Sequence, residues 1–507
     1  MSDSEIALSL TPARRYMILG AVMLASTLYS TTLLIASTLL PQMQGTMAAT
    51  ADEIAWAMTF NILATAVITP MTGWLVGRFG RRNVMMWSIL GFTIATWMCG
   101  AADSLGSLVF WRIVQGGIGA PVVPLSNAIL LDSFPRRQTR MVTSVFGMAV
   151  VIGPVIGPTL GGFLAEIYSW RYAFYMLVPV GALGCIGLSL TLPRDAAGTS
   201  HTRLDWIGFL TLAGAISCVQ LVLSRGQRLD WYESSEITIE TVLAVLSFFM
   251  FVVHSLTADK PFLDPKLLRD PNYALGLVLV TIYGMLNFTP VVLLPSLLQQ
   301  HAGFPDQIIG EILGARGLGA TIGFFLAIFA GKVDPRIGMA IGFGLLGASG
   351  FWLTSFDLNV GMTTLALNSV LQGVGIGIFW VPLTLATFPT MESRLMPEAM
   401  ALFHLLRNIG SSFFISLCVA EIVRAQGANY SRLTEMISPY NRATDLPWVM
   451  GAWSMDSQQG LARLAKEANR QAAMIGYVNA FGMFTATAAG AMLVVLLAKK
   501  RQRRAEA

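Results

Sequence analysis

Four charged residues lie within long apolar runs of this sequence: Arg112, Glu311, Arg316 and Arg407. A charge inside a membrane-spanning helix costs at least about 2.5 to 3.5 kcal/mol on insertion scales. Such residues therefore indicate proton relays, ion paths or binding sites for charged substrates. Asp132 lies at the end of another apolar run and is a further acid in this setting.

Several of these charges also have a purely structural interpretation. Arg112 is near the end of its run, from which a long side chain can reach the membrane surface. Asp132 at a helix end can simply be solvated. Arg407 opens the segment RNIGSS and can contact carbonyl groups of a neighbouring helix. Arg316 is the hardest to explain in this way, because it lies near the middle of its run.

A stripe of small residues runs through the segment GMAVVIGPVIGPTLGG, which begins at Gly147. Gly153, Gly157 and Gly161 recur every four residues and therefore lie on one side of a helix. In a bilayer, small residues at this spacing allow two helix backbones to approach closely. Pro154 lies beside the stripe, and membrane helices tolerate proline where neighbours satisfy the freed carbonyl. We predict a helix that packs tightly against another.

The composition places these residues in a membrane protein. The chain is 54% hydrophobic and only 12% charged, whereas soluble domains are about 25% charged. Its four cysteines all fall in apolar runs, with no metal-ligand spacing. We find no phosphate-binding loop, catalytic triad or redox motif, and therefore predict no enzyme activity, no cofactor and no metal. The small net charge of +5 does not indicate a nucleic-acid partner.

Apolar runs of roughly 20 residues, the length needed to span a bilayer, predict fourteen helical spans and an all-α polytopic fold. The predicted spans are 16–40, 54–76, 83–102, 105–131, 140–165, 172–192, 206–224, 237–258, 272–298, 307–330, 337–356, 362–388, 399–423 and 474–498.

The basic residues predict the orientation of these spans. With a cytoplasmic N-terminus, the inward segments hold 21 Lys and Arg, and the six short outward loops hold three. Positive charge favours the cytoplasmic side. We therefore predict that both termini are cytoplasmic.

An internal repeat divides the spans into two groups. VQGGIGAPVVPL from Val114 matches LQGVGIGIFWVPL from Leu371, and GRFGRRNVM from Gly77 matches GKVDPRIGM from Gly331. The two offsets nearly agree, so we predict two parallel six-helix halves, which is common in transporters. The predicted units are an N-terminal half 1–192, a linker with two inserted helices 193–270, and a C-terminal half 271–507.

Three motifs resemble those of drug:proton antiporters with fourteen spans in the major facilitator superfamily, EmrB type. They are GWLVGRFGRR from Gly73, FWRIVQGGIGAP from Phe110 and IGPVIGPTLGG from Ile152. The segments RLDWIG and LSRGQRLDWYESSEI are similar to that subgroup in particular. The resemblance covers nearly the whole chain and implies the fold of this superfamily.

By resemblance, the loop motif latches the two halves together and the fifth span seals against leak. The loop motif comprises Gly73, Gly77, Arg78, Gly80, Arg81 and Arg82, and the fifth-span motif comprises Gly153, Pro154, Gly157, Pro158, Gly161 and Gly162. The resemblance also implies proton coupling, for which the candidates are Arg112, Glu311, Arg316 and Asp132. Two positions depart from the family pattern, because Gly77 and Tyr29 stand where many relatives carry an acid. We prefer Glu311 as the proton carrier.

Aromatic and amide side chains on several spans predict a central cavity for bulky amphipathic molecules. The candidates are Tyr29, Phe60, Asn61, Gln115, Tyr283, Asn287, Phe288, Gln372, Phe379 and Trp380. The predicted function is proton-coupled efflux of hydrophobic compounds across the bacterial inner membrane. Export of one specific metabolite or siderophore is the alternative, and a passive channel or a receptor derived from a transporter is the third.

The outward segment 424–473 is much longer than the other outward loops. It ends in SQQGLARLAKEANRQAAM, whose apolar residues follow helical spacing, with Ser457 as a possible cap. One interpretation is an amphipathic helix on the membrane surface. The resemblance implies another, in which this segment docks a periplasmic membrane-fusion adaptor that leads to an outer-membrane channel.

Overall fold

The computed structural model describes residues 11–135, 138–193, 204–259, 261–329, 334–391, 395–438, 441, 453, 455 and 457–497. The basic residues of the orientation argument at 136, 137 and 498–507, the side chain of Pro158 and most of the segment 439–456 lie outside the described part.

Each predicted span has a helical counterpart, and we number these helices α1 to α14. The first seven are α1 Pro12–Met47, α2 Ala51–Ile68 continued by Thr72–Phe79, α3 Arg81–Gly100, α4 Leu105–Gly119 continued by Val122–Ser133, α5 Thr139–Ile167, α6 Trp170–Tyr175 continued by Leu177–Thr191, and α7 Trp206–Arg225. The others are α8 Ser235–Thr257, α9 Pro271–Leu297, α10 Asp306–Phe329, α11 Pro335–Leu353, α12 Met362–Thr387, α13 Met396–Glu435 and α14 Gln458–Leu497.

Among the described residues, eleven of these helices are long and apolar enough to cross a bilayer. The prediction of an all-α polytopic membrane protein is therefore confirmed. The helix α5 runs without a break through its glycine stripe and through Pro154. The turn between α2 and α3 is formed by Gly80, whose φ of 84° lies in the region that glycine favours.

The helices bury two large hydrophobic cores. One core is built from residues between 18 and 192, and the other from residues between 267 and 495 together with Ala128. Equivalent helix pairs pack among the first six helices and among the last six. The contact of α1 with α5 corresponds to that of α9 with α13, and the contact of α2 with α4 corresponds to that of α10 with α12.

The internal repeat is visible in the closest helix contacts. A Cβ added at Gly116 of α4 would lie 2.3 Å from the carbonyl oxygen of Asn61 in α2. At the repeat position Gly373 of α12, an added Cβ would lie 2.1 Å from the carbonyl oxygen of Arg316 in α10. The repeat therefore places Asn61 and Arg316 at corresponding points of the two groups of helices.

The inserted helices α7 and α8 pack on each other at the edge of the bundle. Only 11% of an apolar 18-residue stretch of α8 is buried, as expected for a helix that faces lipid. At one end, Asp205 accepts hydrogen bonds from the backbone N–H of Gly208 and of Phe262 and contacts His254 Nε2 at 2.9 Å. Burial raises the pKa of Asp205, but these hydrogen bonds and His254 together hold that pKa below its ordinary value.

The helices α13 and α14 are both longer than their predicted spans. Each has 40 residues, which corresponds to a length of about 60 Å, twice the thickness of a bilayer core. Beyond the predicted spans they remain paired, because Gln426 Nε2 donates to Asn469 Oδ1 at 2.8 Å. The amphipathic segment considered as a surface helix is therefore the first part of α14, and Ser457 Oγ accepts from Gly460 N there at 3.0 Å.

Candidate functional site: a central cavity with two arginines

A cavity lies between the first group of helices, α1 to α6, and the last, α9 to α14. With its open mouth it encloses about 900 Å³. Its lining comprises Tyr29, Ser30, Val123, Phe146, Gly147, Val150, Val151, Pro154, Tyr283, Asn287, Phe288, Val291, Leu313, Arg316, Phe324, Trp380, His404 and Arg407. We call this the central cavity.

The two arginines of the central cavity converge on one turn of α9. Arg316 of α10 donates from Nη2 to the carbonyl oxygen of Asn287 and, at 3.0 Å, to Asn287 Oδ1. Arg407 of α13 lies over the next residue, with its guanidinium carbon 5.7 Å from the ring centroid of Phe288. It also lies 5.8 Å from the Trp380 ring, a distance at which cation–π attraction operates. We call Arg316 and Arg407 the arginine pair.

Polar atoms of the cavity are left without partners. Arg316 is 8% exposed, and its Nε has no hydrogen bond among the described residues. His404 is 2% exposed, and neither of its ring nitrogens has one. A buried donor or acceptor without a partner costs about 1 to 3 kcal/mol. A ligand that supplies those partners is therefore favoured.

Aromatic rings pack against the cavity residue Tyr283 and against each other. Tyr283 is stacked on Phe379, with centroids 5.1 Å apart and an interplanar angle of 9°. Phe379 in turn packs on Phe343, at 4.2 Å between centroids. Phe379 is thus a supporting residue behind Tyr283, since it does not line the cavity.

Arg112 belongs to a separate buried network in the first group of helices. Its Nη1 donates to Gln115 Oε1 at 2.6 Å and its Nε to the carbonyl oxygen of Ala57 at 3.2 Å. Gln115 Nε2 continues the network to Thr96 Oγ1 at 2.7 Å. Asn61 completes it by donating to the carbonyl oxygen of Arg112 at 2.7 Å. Since Arg112 is 1% exposed, it does not reach the membrane surface.

The remaining cavity candidates lie elsewhere. Gln372 is buried at the repeat position of Gln115 and donates to Asn368 Oδ1 at 2.8 Å. Phe60 is half-buried on α2 and does not line the central cavity. Five of the ten predicted residues do line it: Tyr29, Tyr283, Asn287, Phe288 and Trp380.

The two candidate acids also lie outside the central cavity. Glu311 is exposed on α10, where Gln307 Nε2 lies 3.5 Å from its Oε1. The cavity residues of the same helix, Leu313, Arg316 and Phe324, lie roughly 140 to 220° around the helix from Glu311. Asp132 forms an ion pair with Arg81 of the loop motif. That pair joins α4 to α3 within one group of helices.

The fifth-span stripe packs against α1. A Cβ added at Gly153 would lie 2.8 Å from the carbonyl oxygen of Thr27, and one at Gly157 would lie 2.6 Å from that of Thr31. At Gly161 the contact would be with the side chain of Ile35, at 2.6 Å. The predicted close approach of two helix backbones is present along the stripe. Gly162 faces open space instead.

His404 and Arg407 line the cavity although neither is among the predicted cavity residues. Both lie on α13, one turn apart, and therefore on the same face of that helix. A histidine three positions before an intramembrane arginine is a signal that could have revealed this face. Among the described residues, no group of acidic, His and Cys side chains is suited to hold a metal ion.

The family profile of the Major Facilitator Superfamily matches residues 22–415. The chain belongs to this superfamily of membrane transporters, and it is not an enzyme. Its fold is similar to that of the proton:xylose symporter XylE bound to 6-bromo-6-deoxy-D-glucose, with a TM-score of 0.61, 15% identity and coverage of 96% of both chains.

Within the superfamily, the chain belongs with the EmrB-type proteins. It is 30% identical to the multidrug export protein EmrB of Escherichia coli K12 over 465 residues, which are 91% of this chain and 90% of that one. It is also 29% identical to the fatty acid resistance protein FarB of Neisseria gonorrhoeae over 408 residues, which are 80% of each chain.

Proposed function

We propose that this protein is a proton-coupled exporter of hydrophobic and amphipathic organic compounds. The central cavity carries the proposal, because its aromatic and apolar lining with a few convergent polar groups suits such molecules. Similarity to EmrB along nearly the whole chain supports export as the direction of transport. The protein would lie in the inner membrane with both termini in the cytoplasm.

Alternating access would arise from rocking of the N-terminal half, residues 1–192, against the C-terminal half, residues 271–507, as expected for a repeat-built transporter. The inserted segment 193–270 would connect the two halves at the edge of the bundle. Two cores support this division, since one lies wholly within the N-terminal half and the other lies within the C-terminal half except for Ala128 and Leu267.

Proton coupling would involve Arg112, Glu311, Arg316 and Asp132. Arg316 is the member of this set that would contact the substrate directly, because it lines the central cavity. Arg112 would act through its buried hydrogen-bond network on α2 and α3. Glu311 and Asp132 are the carboxylates that would carry the proton, with Glu311 preferred.

The long helices α13 and α14 would dock a periplasmic adaptor and, through it, an outer-membrane channel. Their paired extensions beyond the predicted spans offer a rigid surface for a partner, held by the contact of Gln426 with Asn469. The protein would then be the pump of a tripartite efflux system.

The function is tested in inverted vesicles energised by respiration. We expect uptake of at least one compound from a panel of an aromatic weak acid, a neutral aromatic and a cationic dye, and loss of that uptake on addition of a protonophore. Downhill flux that is insensitive to the pH gradient would indicate a channel, and binding without flux would indicate a receptor.

A further inference from the structure

The inserted helices α7 and α8 are fastened to each other by charged residues at both ends. At the end predicted to be cytoplasmic, Asp205 contacts His254 Nε2 at 2.9 Å. At the opposite end, Arg225 pairs with Glu236 at 2.8 Å and also with Glu240. Asp205 belongs to the segment RLDWIG, and Arg225 and Glu236 belong to LSRGQRLDWYESSEI. The two helices therefore form one unit, which we call the inserted hairpin.

The inserted hairpin covers the seam between α2 and α13, where the first and last groups of helices meet. A third, smaller hydrophobic core lies at this seam. Leu212 and Ile216 of α7 belong to it, together with Ala66 of α2 and Leu405 of α13. The neighbour of Leu405 in sequence, His404, lines the central cavity. The inserted hairpin thus lies between the surrounding lipid and the seam that flanks the cavity.

The linker that follows α8 fastens the inserted hairpin to α13. Phe262 of this linker donates from its backbone N–H to Asp205 Oδ2 at 3.0 Å. The next residue, Leu263, is buried in the third core. Asp264 then donates from its backbone N–H to Glu398 Oε1 of α13 at 2.8 Å. Three consecutive residues therefore join the first turn of α7, the seam and α13.

The contacts of the inserted hairpin with α13 and with α2 differ in kind. Toward α13, the linker makes the directional hydrogen bond to Glu398. Toward α2, Ala66 and Val67 contribute apolar packing. A hydrogen bond depends on distance and angle, whereas packed elements can slide past each other in shear motions. If α2 moves away from α13, the apolar contact can therefore slide while the bond to Glu398 is kept.

We propose that the inserted hairpin moves with the C-terminal half and slides over α2 as a lateral seal. When the cytoplasmic ends of α2 and α13 separate, the contact of Gly73 with Glu398 opens, and the inserted hairpin keeps lipid out of the widened seam. This inference goes beyond the proposed function, because it assigns a task to the two helices inserted between the halves. It rests on the rocking of those halves.

The test follows the inserted hairpin by pulsed electron paramagnetic resonance distances on the full-length protein in nanodiscs. Spin labels are attached to cysteines at three exposed positions near the predicted cytoplasmic ends of helices: Asn83 of α3, Leu256 of α8 and Ile337 of α11. The parent protein has its four native cysteines replaced by alanine. Each pair of labels is measured in the parent and in Gly73→Leu, in which the added side chain forces α2 away from Glu398.

The three distances should respond differently to Gly73→Leu. The distance from Asn83 to Ile337 reports the separation of the two halves and should lengthen. The distance from Asn83 to Leu256 should lengthen with it, because the inserted hairpin leaves α2. The distance from Leu256 to Ile337 should stay within the width of its distribution in the parent.

A second substitution tests how the inserted hairpin is held. Asp205→Ala removes the acceptor for Phe262 N and the contact with His254, so the distribution between Leu256 and Ile337 should broaden. Asp205→Asn keeps one oxygen acceptor and should broaden it less. Glu233→Ala is the matched control, since Glu233 is an exposed acid near the other end of the same hairpin. Gel filtration checks the folding of every variant.

Three results overturn the inference. In the first, the distance from Leu256 to Ile337 lengthens in Gly73→Leu while that from Asn83 to Leu256 stays fixed, which would place the inserted hairpin with the N-terminal half. In the second, both of these distances lengthen equally. In the third, the distance from Asn83 to Ile337 is unchanged, since nothing slides if the halves do not separate.

The export function is tested separately on the same parent protein. Protonophore-sensitive uptake in inverted vesicles leaves export standing even if the inserted hairpin proves to move with the N-terminal half. Conversely, the expected distances in a parent that shows no such uptake, while the wild type shows none either, overturn the export function and leave the lateral seal.

Discussion

Glu398, at the start of α13, lies directly against Gly73 in the loop motif of α2. A Cβ added at Gly73 would come within 2.9 Å of Glu398 Cβ and 3.2 Å of its Cα. Glu398 Oε1 also accepts a hydrogen bond from Asp264 N at 2.8 Å. One residue therefore joins the first group of helices, the last group and the linker between α8 and α9.

This contact predicts the effect of a minimal substitution. Gly73→Ala places a methyl group against the backbone of α13, so α2 and α13 must separate on the predicted cytoplasmic side. We expect protonophore-sensitive uptake in inverted vesicles to fall several-fold, with normal membrane insertion. Gly106→Ala is the control, because a Cβ there meets nothing within 4 Å. Equal activity of the two variants would show that transport does not need the close contact between Gly73 and Glu398.

The glycine stripe of α5 gives a second prediction. Gly157→Leu adds four carbons where even a Cβ would lie 2.6 Å from the carbonyl oxygen of Thr31. We expect transport to be lost while the protein still inserts, because α1 and α5 are forced apart. Gly20→Leu on α1 is the control, since that position is open. Normal transport by Gly157→Leu contradicts a role for this helix contact.

Arg112 provides a prediction about coupling. Its Nε and Nη1 donate to two different acceptors, Ala57 and Gln115, and a lysine cannot reproduce that fork. Arg112→Ala should abolish uphill export, and Arg112→Lys should retain part of it at most. Counterflow of labelled substrate without a gradient is measured alongside, and we expect it to persist. If Arg112→Lys pumps at the wild-type rate, the planar fork is unimportant and charge alone suffices.

The fold could be predicted from the sequence to a large extent, whereas the site could be predicted only in part. Span length and glycine spacing depend on local sequence. The helices and the close contact of α5 with a neighbouring helix could therefore be predicted. Which face of a helix meets a cavity depends on tertiary packing. Tyr29 and Trp380 therefore line the cavity as predicted, whereas Asn61 and Gln115, which are of equally suitable chemistry, support Arg112 instead.

Contacts between residues that are distant in sequence were beyond prediction for the same reason. The departure of Gly77 from the family pattern left open which carboxylate the loop motif would use. In the structure Asp132 pairs with Arg81 within the first group of helices, and Glu398 of the last group packs against Gly73. Neither acid is near the motif in sequence, and nothing in a single sequence links them to it.

The proton carrier is addressed by two isosteric substitutions. We expect Glu311→Gln to remove the pH dependence of export, because the amide cannot ionise. Asp132→Asn should leave that dependence in place and should instead weaken the ion pair with Arg81. The pH profile of uptake between pH 5.5 and 8.5 in inverted vesicles is the measurement, a range of roughly three units around the working pH. A profile unchanged in Glu311→Gln and lost in Asp132→Asn would transfer the role to Asp132.

The outward extensions of α13 and α14 give the last prediction. Replacing residues 428–470 by a short flexible linker removes the paired extensions and the connection between them, but leaves the bilayer-spanning parts of both helices intact. We expect insertion and vesicle transport to persist, and adaptor co-purification and whole-cell resistance to be lost. A second variant that replaces only 436–457 separates the connecting segment from the helical extensions. If it still binds the adaptor while the longer replacement does not, the helices form the docking surface. Adaptor binding by the longer variant would place docking elsewhere on the protein and end the proposal.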